Sequence, residues 1–332
     1  MSEICKAKRI TYYDFLKTIG MICIVIAHVN TSGLVHQLRN FDVPLMVILS
    51  SSLTGMSYER KYLPIQKDME FICSRVMRLA CPTWFFLVFY FLFLRALGIV
   101  FNVDYYKWSF LLTSYGMGYV WVIRIYIFCS ALIPMFYRFR LGIIPIISLY
   151  VVYEITWYYQ VGTDSIFLMS TWYYIIPYGT LAYLGCRIRE MDRNGKKKLL
   201  VISFVVFMTL AVMYGYKTGS FVPTQTAKYP PRIYFLSYGI MCSLLLLLIC
   251  EKYRESKFFE NVLFRFVSNH SMWIYLWHIF VLFVFEYKEM HLAWIPKAVA
   301  ILSCSVMIVF VQNIIVRLLE RRFKISFLKY LK

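Results

Sequence analysis

The stretch Tyr13-Asp14-Phe15-Leu16-Lys17-Thr18-Ile19-Gly20-Met21-Ile22-Cys23-Ile24-Val25-Ile26-Ala27-His28 decides how the chain is read. It is charge-free from Thr18 to Ala27 and continues apolar on either side of Lys17. It opens a span over 15–34, because crossing a bilayer takes about 20 mostly apolar residues. Lys17 and His28 stand eleven residues apart. At about 100° per residue that is within about 20° of three full turns, so both face one way, roughly 16 Å apart in depth. An ionisable group at lipid depth is costly and is a functional hypothesis by default. Histidine adds a pKa near neutrality, which suits a general base. A structural histidine hydrogen-bonded across helices would leave the same trace.

Working outward, the 332 residues are 61% hydrophobic, 19% aromatic and 16% charged. Soluble domains run nearer half apolar and a quarter charged, and disordered chains need low hydrophobicity, so both classes are excluded. The expectation is an all-α polytopic membrane helix bundle forming a single domain over 1–332. Ten spans are expected near 15–34, 42–58, 72–97, 119–137, 141–158, 171–187, 199–216, 233–250, 270–286 and 294–316. No cleavage site follows the first, which reads as a retained anchor.

With both termini cytoplasmic, the inner segments would hold 26 Lys and Arg and the outer loops 8. That asymmetry is the positive-inside pattern, and it accounts for the net charge of +19 without nucleic acid. The nine cysteines show no metal-ligand spacing and read as small apolar residues, with Cys5 in the basic N-terminus. No metal is expected.

The third span opens Ser74-Arg75-Val76-Met77-Arg78, with two guanidinium forks one turn apart. Such forks grip phosphate bidentately, although arginines at a cytoplasmic helix end also satisfy topology alone. The ninth span places Ser271, Tyr275 and His278 on one stripe, with Trp273 and Trp277 on an adjacent face read as packing. His278 reads as a second buried histidine or as interhelical glue. Arg124 and Glu154, both toward the outer half, are expected to neutralise each other. The Tyr and Trp clusters around 105–121 and 157–174 suit an interfacial belt, where a few rings could stack on a sugar.

Taken in order, these residues resemble the acyltransferase-3 family of integral membrane acyltransferases, which includes bacterial polysaccharide O-acetyltransferases. The first-helix Arg-(ten residues)-His motif of that family is similar to Lys17 through His28, with lysine replacing arginine. Its Arg-x-x-Arg is matched by Arg75 and Arg78, followed by Leu79, Pro82 and Trp84. Val43-Pro44-Leu45 through Ser50-Ser51 resembles its second helix without the glycine. Trp121-Val122-Ile123 with Tyr126 and Pro134, and Ile274-Tyr275-Leu276-Trp277-His278, resemble later signatures.

The resemblance implies transfer of an acetyl or related acyl group from cytoplasmic acetyl-CoA to a hydroxyl of a cell-surface, capsular or O-antigen glycan or lipid-linked saccharide. It implies a multi-pass protein of a bacterial-type inner or plasma membrane. His28 and His278 would be catalytic, and Arg75, Arg78 and Lys17 would bind the donor. The alternative is a polysaccharide or lipid-linked sugar flippase, exporter or polymerase, which has no need of CoA phosphates.

Overall fold

A computed structural model describes residues 9–61, 67–323, 328, 330 and 331. Cys5 and parts of the basic segments expected at 1–14, 59–78 and 317–332 lie outside the described residues. The described chain is helical, with no β-strand among the described residues beyond one isolated bridge, Lys228 to Pro231. Its helices are α1 (Thr11–Ile26), α2 (Gly33–Leu38), α3 (Asp42–Lys61), α4 (Asp68–Ala96), α5 (Val103–Phe110), α6 (Trp121–Arg138) and α7 (Ile143–Tyr158). After these come α8 (Ile166–Ser170), α9 (Trp172–Arg187), α10 (Arg193–Thr218), α11 (Ile233–Lys252), α12 (Val262–Asn269), α13 (Ser271–Tyr287) and α14 (Trp294–Phe323).

Each of the ten expected segments overlaps a helix, the first of them only as far as Ile26. By length and hydropathy, five are long and apolar enough to cross a membrane: α4, α6, α10, α11 and α14. The pair α12 and α13, bent by 80° at their junction, makes a sixth when taken as one span. At about 1.5 Å per residue the 16 residues of α1 reach only about 24 Å, short of a hydrocarbon core of about 30 Å.

Packing follows side-chain size. α3 sits centrally against α1, α6, α9 and α11, and its Leu45, Ile48, Leu49 and Ser52 are buried. Gly185 of α9 lets the two backbones meet, since a Cβ there would lie 2.4 Å from the Ile48 carbonyl oxygen. Small residues at such crossings are how helices approach closely in lipid. The outward faces of α4, α7, α10 and α14 carry exposed Val88, Leu92, Ile144, Val151, Val205, Val212, Met307 and Phe310. An apolar girdle of that extent is a surface for acyl chains, not water.

Cross-helix polar pairs reveal the order of the helix ends. At one end, Asp68 at the start of α4 accepts from Arg138 at the end of α6 (2.9 Å) and from Tyr58 near the end of α3 (2.5 Å). Arg189, just past α9, meets Glu59 at 2.6 Å, and Lys196 in α10 meets Glu251 at 2.7 Å. Arg9 bridges Asp14 (2.5 Å) and Asn269 (2.7 Å). Helix starts thus meet the ends of other helices, as an up-and-down bundle requires. These pairs mark the basic end of the bundle.

The outer pairing differs from expectation. Glu154 does not meet Arg124. It accepts from Arg232 Nε at 2.6 Å, from the Ile233 backbone N–H at 2.9 Å and from the Tyr150 hydroxyl at 2.8 Å. The carboxylate therefore caps the first amide of α11 as well as neutralising a guanidinium, an arrangement favoured at a helix N-terminus. Arg124 instead lies over the Phe128 ring, 5.1 Å from its centroid.

Candidate active site

A cavity of about 650 Å³ opens at the basic end between α1, α3, α4, α6 and the corner of α12 and α13. Its size suits a small-molecule ligand, typically about 300–1,000 Å³. Helical periodicity places its walls: Lys17, Met21 and Ile24 from α1 lie at i, i+4 and i+7. Arg75 and Arg78 enter from α4, and Tyr126 and Ser130 from α6. Among the described residues the lining holds Lys17, Arg75, Arg78 and His270 but no Asp or Glu. Asp14, one turn before Lys17, is buried with its carboxylate held by Arg9 at 2.5 and 2.9 Å. Arg75 rests over Phe71, 5.5 Å from the ring centroid, while Arg78 is exposed. The chamber is therefore a cationic pocket walled by hydroxyls and rings, suited to an anion with an extended apolar or amide arm.

The two histidines come together, as neither motif alone required. Their ring centroids are 5.4 Å apart, although the residues are 250 positions apart in sequence. His28 packs edge-on to Tyr119 at 4.9 Å, and His278 packs on Tyr275 at 5.0 Å. The Tyr275 hydroxyl donates to the Tyr119 carbonyl at 2.5 Å and closes the group. His278 is wholly buried. Its Nδ1 donates to the Tyr275 carbonyl, and its Nε2 has no partner among the described residues. A carbonyl only accepts, so Nδ1 bears a proton, and in the neutral ring Nε2 then keeps the lone pair that a proton acceptor needs.

Two expectations about this group need correction. α1 ends at Ile26, so His28 stands in the following turn, its N–H bonded to Val25 O at 3.0 Å, and not on the stripe of Lys17 within one helix. The chain turns here because Ser32 soon caps α2, accepting from the Val35 N–H. Second, neither histidine lines the cavity. Tyr275 is the shared wall, facing the chamber on one side and touching His278 on the other.

Other residues were not singled out by their sequence. Trp273 lines the chamber instead of only packing, whereas Trp277 does pack, against Phe86 and Phe89, and donates to Gln312 at 2.6 Å. Ser268, Asn269 and His270 line it from the bend between α12 and α13, where a short run of polar residues before an apolar helix was the available signal. Near His28, Arg39, Asn40, Asp42 and Lys228 form a buried polar knot. Among the described residues no group of three or more His, Cys, Asp or Glu is placed to hold a metal ion.

A family model described as an acyltransferase domain, that of the acyltransferase-3 family, matches residues 10–313. No curated protein and no solved structure matches the chain. The matched range runs from the residue before α1 into α14 and encloses the chamber walls from Lys17 to Tyr275 together with both histidines, so the chain belongs to the acyltransferase-3 family and is a membrane acyltransferase.

Proposed function

We propose that the protein moves an acetyl or similar acyl group from cytoplasmic acyl-CoA to a hydroxyl of a cell-surface carbohydrate. The chain would act as one domain of ten spans with both termini and the basic end in the cytoplasm. The observation that carries this reading is the chamber. Among the described residues three cations and no carboxylate line it at the basic end, and Tyr275 in its wall packs on His278, the neighbour of His28.

In this reading Arg75, Arg78 and Lys17 hold the donor phosphates, and the pantetheine arm runs past Tyr126 toward Tyr275. Lys17 offers a point charge and not a fork, so it strengthens attraction without fixing orientation. The acceptor hydroxyl arrives from the opposite side. A histidine nitrogen removes its proton, the alkoxide oxygen attacks the thioester carbonyl carbon, and the C–S bond breaks. The imidazolium returns the proton to the departing thiolate, releasing CoA and the ester. His28 is the assigned base, and His278 is its neighbour within the same group.

The test is His28→Ala, with protein amount and membrane insertion measured alongside. Surface glycans from producing cells should lose the acetyl mass of about 42 Da, a general base contributing about 10²–10⁴-fold in rate. Unchanged acetylation in the variant removes His28 from the reaction.

A further inference from the structure

Arg124 is a cation without a counter-charge. It stands in the first turn of α6, at the end of the bundle away from the basic end, since α6 closes at Arg138 beside Asp68. The carboxylate expected to neutralise it, Glu154, is taken by Arg232. Its guanidinium lies over the Phe128 ring, and among the described residues no carboxylate pairs with it. Arg124 is half-buried, and a cation taken partly out of water with no partner costs free energy until an anion arrives. It shares a notch with Trp121 of its own turn, Ser170 of α8, Tyr174 of α9 and Ser114 of the α5–α6 connection. The enclosed part is about 10 Å³, room for one water-sized group, and it opens to the surface. A sugar ring is too large to enter, but the tip of an acidic group projecting from one is not.

Beside the notch lies an aromatic surface for the ring itself. Trp121 meets Tyr174 and Tyr229, each with ring centroids 5.5 Å away, and Tyr229 is half exposed. Tyr119, two residues before Trp121, packs edge-on against His28 at 4.9 Å. One short run of chain, 119–124, therefore carries the contact with His28, the indole and the unpaired cation.

Resting on the O-acyl transfer reading, we propose that Arg124 and Trp121 form the acceptor subsite and that the acceptor is an acidic saccharide, its ring against the indole and its carboxylate or phosphate on the guanidinium. The apolar face of a sugar ring buries area on an indole, and a guanidinium fork matches either oxyanion with two parallel N–H donors. A neutral acceptor gives Arg124 nothing to bind. A bilayer phosphate is the competing anion. The walls from α8, α9 and the α5–α6 connection favour a ligand reaching into the notch over a headgroup lying beside the helix.

The experiment uses glycan from cells that lack the protein, offered with labelled acetyl-CoA to permeabilised membranes holding the full chain. The glycan is supplied native, carboxyl-reduced, dephosphorylated, or stripped of both acids. Arg124→Gln should raise the KM for native glycan about ten- to a hundredfold, the worth of a charge-assisted pair, with the KM for acetyl-CoA and the Tm unchanged. Arg124→Lys keeps the charge without the fork and should fall between. Removing the acid from the glycan should impose the same loss on the wild type and no further loss on Arg124→Gln. Carboxyl reduction does this if the sugar is a uronate type, and dephosphorylation if it carries phosphate.

Unchanged glycan KM in Arg124→Gln, or an unchanged wild-type KM for glycan stripped of both acids, overturns the subsite. Losses that add when the variant meets stripped glycan mean that the acid is held elsewhere, and overturn it too. A Tm that drops in Arg124→Gln only in vesicles containing phosphatidylglycerol, with glycan KM unmoved, assigns the guanidinium to a lipid headgroup instead. Wild-type protein that transfers no label to native glycan overturns the O-acyl transfer reading and not the subsite alone.

Discussion

Asp42→Asn and Lys228→Met, two single changes in the buried knot beside the histidines, should differ sharply in cost. Asp42 is 2% exposed, Arg39 5% and Lys228 4%, so none of the three charges is solvated. The carboxylate accepts from Arg39 Nη1 at 3.0 Å and from the Val43 backbone N–H at 2.8 Å, and lies 3.5 Å from Lys228 Nζ. Two cations thus share one anion. Asp42→Asn keeps the shape and an acceptor for Val43 but leaves both cations buried without a counter-charge, at a cost of about 3–5 kcal/mol.

Lys228→Met leaves a balanced Arg39–Asp42 pair. It loses the bond from Nζ to Asn40 Oδ1 at 3.2 Å, about 1 kcal/mol, offset in part by no longer burying an ammonium. At about 2 °C per kcal/mol for a chain of this size, the first variant should lower the Tm by about 6–10 °C and the second by about 2 °C or less. Buried Cys23, Cys129 and Cys186 provide the assay, since a thiol-reactive dye labels them as the bundle opens. Combining both changes should recover part of the Asp42→Asn loss. Equal destabilisation by the two single variants would refute this charge balance.

His36 faces the Arg39 guanidinium in the α2 turn outside the spans. Its pKa is lowered by desolvation and then by the cations Arg39 and Lys228, with Asp42 opposing. The folded protein thus favours the neutral ring. That stability is present above the unfolded value of 6.5 and is lost as pH falls from there toward the depressed folded value. Tm should drop on acidification across this range and the drop should flatten in His36→Gln; an identical slope in the variant counts against it. Glu154→Ala should destabilise by about 2–3 kcal/mol, since a carboxylate with three donors is lost, while Arg124→Leu should do much less. Comparable losses in dye-monitored melts would restore Arg124 as a partner.

The helix positions were legible because a bilayer fixes what a span must look like, and long apolar runs such as those of α10 and α11 can be little else. The short helices α2, α5 and α8 were not. They lack periodicity, and their caps, Ser32, Asn102 and Ser165, accept from amides three residues on without a long apolar run behind them. Lys17, Arg75 and Arg78 were readable one by one as costly charges, but nothing local says that they line one chamber. The partner of Glu154 is 78 residues away, and Arg124 was preferred as an opposite charge expected at similar depth. Trp273 shows the sharpest limit: an unsatisfied indole is a property of its surroundings, and the letters around it predict only an aromatic in a helix.

The placement of Tyr275 gives the site its logic. A histidine base open to the chamber would share it with water, and an activated water attacks a thioester as readily as a sugar hydroxyl does. Here Tyr275 lines the chamber, with its hydroxyl tied to the Tyr119 carbonyl and its ring packed on His278. In the proposed reading the donor docks at the basic end with the histidines behind Tyr275, and excluding water in this way would suppress hydrolysis of a reactive acyl group. The Nε2 of His278 is buried and has no hydrogen-bond partner among the described residues. In that reading one side chain separates the donor from His278 and from the base His28 beside it, so the reaction requires Tyr275 to move, and an arriving acceptor could supply the contacts that favour the move.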